Sequence, residues 1–258
     1  MIPALEHTLR RDRLLVVVCI ATTTLLAWLD LVRRGAGMRA MAIDADAMRT
    51  MDTSAWGLDE WLSLSVMWAV MMIGMMLPSV APTLLHMLQV FRRRGDRLAR
   101  ASAVAFVAGH LLPWMAFSVL AATAQLYLHR ASLLGTEMSS GSMALTGTLL
   151  LAVGMYQCLP MKTACLKYCR PPMRFLSMER RDGTFGALRM GVDHGAFCVA
   201  CCVALMALLF VFGVMNLLWA AAITVLVFIE KIAPPRARVE YLSGIPLIVW
   251  GATELARS

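Results

Sequence analysis

Apolar residues run through this chain in long blocks, with most of the charge in segments between them and Asp30 interrupting the first block near its end. They do not recur every third or fourth position, as they would on the half-buried helices of a water-soluble protein. A helix needs about 20 apolar residues to cross the ~30 Å hydrocarbon core of a bilayer, so each block reads as a candidate span. The blocks fall at 14–32, 61–91, 101–128, 142–159, 192–213 and 215–230, with a shorter seventh at 241–255 that carries Glu254. Dividing the charge-free stretch 198–229 into two spans requires a turn near Gly213 to Asn216. The predicted fold is all-α: one polytopic transmembrane helix bundle of six or seven spans.

The first block follows Arg10, Arg11 and Arg13, which gives it the look of a secretory signal. A signal has a shorter apolar region and a small-residue cleavage site, whereas Arg33 and Arg34 follow this block directly, so a retained span is expected. Basic residues on short cytoplasmic segments orient such a bundle. With the N-terminus inside, 18 of the 24 lysines and arginines fall on the inner segments, which predicts a cytoplasmic N-terminus and a bacterial inner membrane. The outer segment 33–60 turns acidic toward its end, with Asp44, Asp46, Asp52, Asp59 and Glu60. It is expected to be a solvated connector or a docking lip for a membrane or extracytoplasmic protein.

Composition reinforces the pattern. Some 60% of the residues are hydrophobic and 16% charged, against about 25% charged in an average soluble domain. The formal charge of +8 is accounted for by topology and contact with anionic lipid rather than by nucleic acid. A glycine-rich GxxxxGK phosphate loop is missing, so no nucleotide is expected to power the protein.

Six of the seven cysteines fall between residues 158 and 202: Cys158, Cys165, Cys169, Cys198, Cys201 and Cys202. Thiols facing a reducing cytoplasm argue for metal binding or redox work rather than structural disulfides. On a helix, His194, Cys198, Cys201 and Cys202 share one face, since positions three and four apart lie one above the other. An imidazole with thiolates is a soft donor set, suited to Cu(I), with Zn(II) as the second choice. Cys165 and Cys169, one turn apart, are the obvious source of further ligands. Cysteines in membrane helices also serve as small apolar fillers.

A second soft stripe lies in the second block, in a chain with 21 methionines. Met67, Met71 and Met75 follow one helix face, with Met72 and Met76 on the next. Thioether sulfur can hold Cu(I) inside a bilayer without adding charge, although methionine is also ordinary membrane packing. Pro78 and Pro82 are expected to break the same helix near Ser79, which is tolerated where backbone faces protein or a cavity. His86 and His110 are weaker ligand candidates, and Glu230 with Lys231 reads as an interfacial ion pair.

These residues resemble a bacterial family of predicted metal-binding integral membrane proteins, domain of unknown function 2182. The resemblance is carried by Met67-Trp68 through Met76-Leu77-Pro78-Ser79, by Tyr156 with Pro160 and Lys162, and by Cys165, Cys169, Arg170 and Pro172. It continues in His194-Gly195 with Cys198, Cys201 and Cys202, then Leu205-Met206 and Glu230-Lys231. The family often has a glycine before its paired cysteines and a tryptophan after them; here Ala200 and Val203 leave the thiols in place. The resemblance implies membrane metal binding of a copper-chaperone kind.

Three functions follow as expectations. The first is binding or transfer of Cu(I) by a chaperone or transporter. The second is a membrane thiol oxidoreductase that uses the cysteine pairs. The third is a non-catalytic assembly subunit of a membrane metalloenzyme. No catalytic constellation is read from the sequence.

Overall fold

The computed structural model describes residues 2–43, 57–93, 98–131, 142–170, 183–214 and 216–258. The described residues are helical throughout, with no strand. In chain order the helices are α1 (Ile2–Ile43), α2 (Leu58–Arg93), α3 (Ala99–Arg130), α4 (Met143–Cys158) and α5 (Pro160–Cys169). They continue with α6 (Gly183–Ala207), α7 (Leu209–Phe212), α8 (Leu217–Ile232), a 3-10 turn at Pro235–Ala237, and α9 (Val239–Arg257). Asp44, Asp46, Asp52 and Pro172 lie outside the described residues.

Four segments are long and apolar enough to cross a membrane: Arg10–Gly37, Leu58–Arg92, Ala99–Arg130 and Gly183–Phe212. A fifth arises if α4 and α5, which meet at a 66° bend, form one broken span. Length and apolar composition thus support four or five of the expected six or seven spans. With 16 residues, α8 is about 24 Å long, short of the ~30 Å core, and α9 carries Glu240 and Glu254. The arrangement is compatible with a multi-pass membrane protein. In α1 only 11% of the most apolar window is buried, so its leucines and valines require an apolar surrounding.

Pro78 and Pro82 do not break α2, which stays helical through both. At one end of the bundle, buried Asp12 of α1 accepts hydrogen bonds from Arg92 at 2.7 Å and Arg100 at 2.7 Å, which ties α1 to the end of α2 and the start of α3.

Two helix pairs approach backbone to backbone. Where α3 crosses α6, a methyl group on Gly191 would sit 2.1 Å from the Phe106 carbonyl oxygen, and one on Gly195 would sit 2.5 Å from that of His110. Where α4 meets α9, Gly147 lies against Gly251 and Gly154 against Gly244, a seven-residue repeat on both partners. Small residues at such crossings let helices associate where lipid supplies no hydrophobic drive.

Gly191→Ala should therefore destabilise the protein by about 1–3 kcal/mol, because the obstacle is backbone that cannot rotate away. Gly37→Ala, in the interior of α1 with nothing within 4 Å of the added carbon, should leave stability unchanged or raise it by up to about 1 kcal/mol. Thermal unfolding of both variants in detergent checks this. Equal midpoints would show that the crossing is loose.

Candidate metal centre

The buried faces of α2 and α6 meet in one apolar core. Met67, Met71, Met72, Met75 and Met76 are all buried there, and the same core contains Cys169, Cys198, Cys201 and Cys202. Trp68 closes one side of it. Its indole stacks on Phe210 at 5.3 Å between ring centres, and its Nε1 donates to Gln125 Oε1 at 2.7 Å. A buried indole N–H keeps a partner in this way without disturbing the packing around it.

Cys169 reaches the core because the chain turns at Leu159. Pro160 then starts α5, where its missing N–H costs nothing. In α5 the buried positions are Lys162, Leu166 and Cys169, spaced by four and three, so one face of this short helix is laid against α6. Tyr168 stacks on Phe197 of α6 at 4.5 Å between ring centres, nearly coplanar at 11°. The Tyr156 hydroxyl donates to the Ala200 carbonyl oxygen, which pins α4 to α6.

The result is a cluster of sulfur. Cys169 Sγ lies 3.5 Å from Cys201 Sγ, and Cys201 Sγ lies 3.3 Å from Cys202 Sγ. Cys201 also donates to the Cys198 carbonyl oxygen at 3.3 Å. All four thiols are at most 2% exposed, and the cysteines are free. A tetrahedral metal with ~2.3 Å bonds to sulfur spaces its ligands ~3.8 Å apart, so these thiols touch one another more closely than they would around an ion. Consistent with that, no three His, Cys, Asp or Glu side chains among the described residues are arranged as a ready-made metal site. For these two sulfur pairs, a few tenths of an ångström separate contact from ligand spacing.

Charge around the cluster is organised by Glu230 and Lys231, which do not pair with each other as the sequence suggested. Neighbours on α8, they engage different partners. Glu230 accepts from Lys162 Nζ at 2.7 Å and from Gln157 Nε2 at 2.9 Å, and Arg170 Nε donates to its carbonyl oxygen at 3.0 Å. Lys162 also donates to Gln157 Oε1. Lys162 is fully buried within the bundle. Lys231 points to the sulfurs: its Nζ lies 3.0 Å from Cys198 Sγ and 2.7 Å from Ser79 Oγ. With the Glu230 carboxylate engaged by Lys162, the thiols are the groups beside this ammonium able to carry a compensating negative charge.

His194 lies one turn before Cys198, but its Nδ1 faces His110 Nδ1 at 3.1 Å. Cys165 is half-buried at the edge of the core, and Cys158 packs against Gly244 of α9, away from the cluster. His86 is half-buried. Sequence reasoning missed the Lys231–Cys198 contact, the Lys162–Glu230 pair and the His110–His194 pair. Buried charge in an apolar block was the available signal for the lysines.

Residues 65–253 match the family model PpoB2, described as a copper chaperone. The chain belongs to this copper chaperone family. The match takes in the methionine stripe, all four clustered thiols, both buried lysines and most of α9, and leaves α1 outside. It supports the copper side of the resemblance drawn from sequence, though not the name domain of unknown function 2182. No curated protein and no solved structure matches the chain.

In this copper chaperone family member, removing one partner of the buried ion pair should cost more than removing both. Glu230→Ala leaves Lys162 charged inside the bundle and should destabilise by about 3–5 kcal/mol, while Lys162→Met with Glu230→Leu should stay near wild type. Unfolding of the three proteins in one detergent checks the ordering. A double variant as unstable as the single one would contradict it.

Proposed function

We propose that the protein carries Cu(I) as cargo, held by the buried thiols of Cys169, Cys198, Cys201 and Cys202 and passed along the methionines of α2. The observation that carries this reading is the convergence of four water-excluded sulfurs beside one ammonium in a member of a copper chaperone family. Thiolate and thioether are the donors that soft Cu(I) prefers. Two thiolates, one Cu(I) and the Lys231 ammonium sum to zero charge, which a low-dielectric interior favours. Zn(II) reaches neutrality with three thiolates and is the alternative cargo. Met67, Met71, Met75, Met72 and Met76 serve as transient ligands, and His194 and Cys165 stand at the edges of the thiol group.

In this reading α8 and α9 complete a bundle of six or seven spans in a bacterial inner membrane, with the N-terminus in the cytoplasm. Two features support it: the basic residues lie mostly on the segments assigned to the inside, and α9 packs against α4 through paired glycines. Membrane lipid and a further membrane or extracytoplasmic protein are the partners. A second reading, thiol oxidoreductase, draws on the 3.5 Å approach of Cys169 and Cys201, close enough for a reversible disulfide after a small movement.

The experiment is metal analysis of anaerobically purified protein from cells grown with copper and with zinc. Wild type should retain near-stoichiometric copper, and the variant Cys198→Ser, Cys201→Ser, Cys202→Ser should lose the sulfur-bound fraction. Copper bound to sulfur to the same extent in both proteins would end the assignment. A cysteine pair trapped as a disulfide in cells, with no metal in wild type, would favour the redox reading.

A further inference from the structure

His110 and His194 form a pair that the thiol cluster does not explain. They come from different helices, α3 and α6, and their rings lie 5.0 Å apart with Nδ1 facing Nδ1 at 3.1 Å. Both are buried, His110 fully and His194 to 2% exposure. The Phe106 ring, 5.7 Å from that of His194, forms one wall. The pair sits where α3 and α6 touch backbone to backbone at Gly191 and Gly195, so no side chain at these glycines intervenes and the rings are held opposite each other. Among the described residues, the buried His110 Nε2 has no hydrogen-bond partner. With no group bonded to it, this nitrogen can take up a proton, which lets Nδ1 of the same ring present its lone pair to the space between the imidazoles.

We propose that His110 and His194 are a second, two-coordinate Cu(I) site, distinct from the thiols and feeding them. The inference rests on Cu(I) being the cargo. In the neutral pair one Nδ1–H donates to the other Nδ1. For the ion to enter, that proton moves to Nε2 of the same ring, and both Nδ1 lone pairs then bind the metal. No proton leaves the pair, and no electron is exchanged. Imidazole–metal bonds of ~2 Å would set the two nitrogens ~4 Å apart, so the rings must separate by roughly 1 Å from their present contact. His194 and Cys198 are one turn apart on α6, about 6 Å along its axis, so an ion released by the imidazoles meets a thiol next. The thiols are the softer donors and the site that retains the ion.

The test is copper K-edge X-ray absorption on the full chain, purified in detergent and loaded with Cu(I) without oxygen. A variant with Cys169, Cys198, Cys201 and Cys202 all changed to Ser should still bind one Cu(I), with two nitrogen neighbours and no sulfur. Adding His110→Gln should abolish that binding. In the background with intact thiols, His110→Gln should keep sulfur-bound copper, which shows that this substitution leaves the bundle folded. Should the thiol-free variant hold no copper, or hold it equally with His110→Gln, while wild type keeps sulfur-bound copper, the histidine site is overturned and the thiol reading survives. Nitrogen-bound copper in the thiol-free variant, with no sulfur-bound copper in wild type, would support the pair and remove the thiol reading instead.

Discussion

An ammonium group buried in an apolar bundle must have negative charge beside it, and the arrangement of this protein's centre follows from where that charge comes from. Glu230 would be the natural partner of Lys231, but it is turned away and held by Lys162. Lys231 is left facing Cys198 and Ser79. One lysine–glutamate pair thus closes on itself and leaves a second cation aimed at a sulfur cluster. Four helices are bound into that decision: α4 through Gln157, α5 through Lys162, α8 through the two charged neighbours, and α6 through the thiols. The methionines of α2 fill the remaining wall with polarizable atoms that add no charge.

Much of this was legible in the chain. The apolar blocks predicted helices, and the helices occur where the blocks do; the end of the fourth block at 159 coincides with the bend before Pro160. The spacing of Cys198, Cys201 and Cys202 predicted a shared face, which the helix delivers. Span number was less legible, because hydropathy counts residues while crossing requires length, and the 16 residues of α8 fall short of a straight crossing of average hydrocarbon thickness. Pro78 and Pro82 suggested a broken helix where the chain stays helical, since neighbouring helices stabilise a turn that has lost a backbone hydrogen bond.

What could not be read were contacts between residues far apart in sequence. Lys231 and Ser79 are separated by 152 positions, and His110 and His194 by 84. Helical periodicity gives the face on which a residue lies, but not which helix that face meets. The partner is set by the glycines that let α3 and α6 close to backbone contact, a packing result with no local signature. Hence Lys231 read as an interfacial charge and His110 as a minor candidate, although the structure places both at the centre.

The most direct measurement is the copper K-edge spectrum of the wild-type protein purified anaerobically from copper-grown cells. A Cu(I) edge with sulfur as the nearest neighbour is the result this account predicts. Metal-free protein, or copper surrounded by nitrogen and oxygen alone, would contradict it.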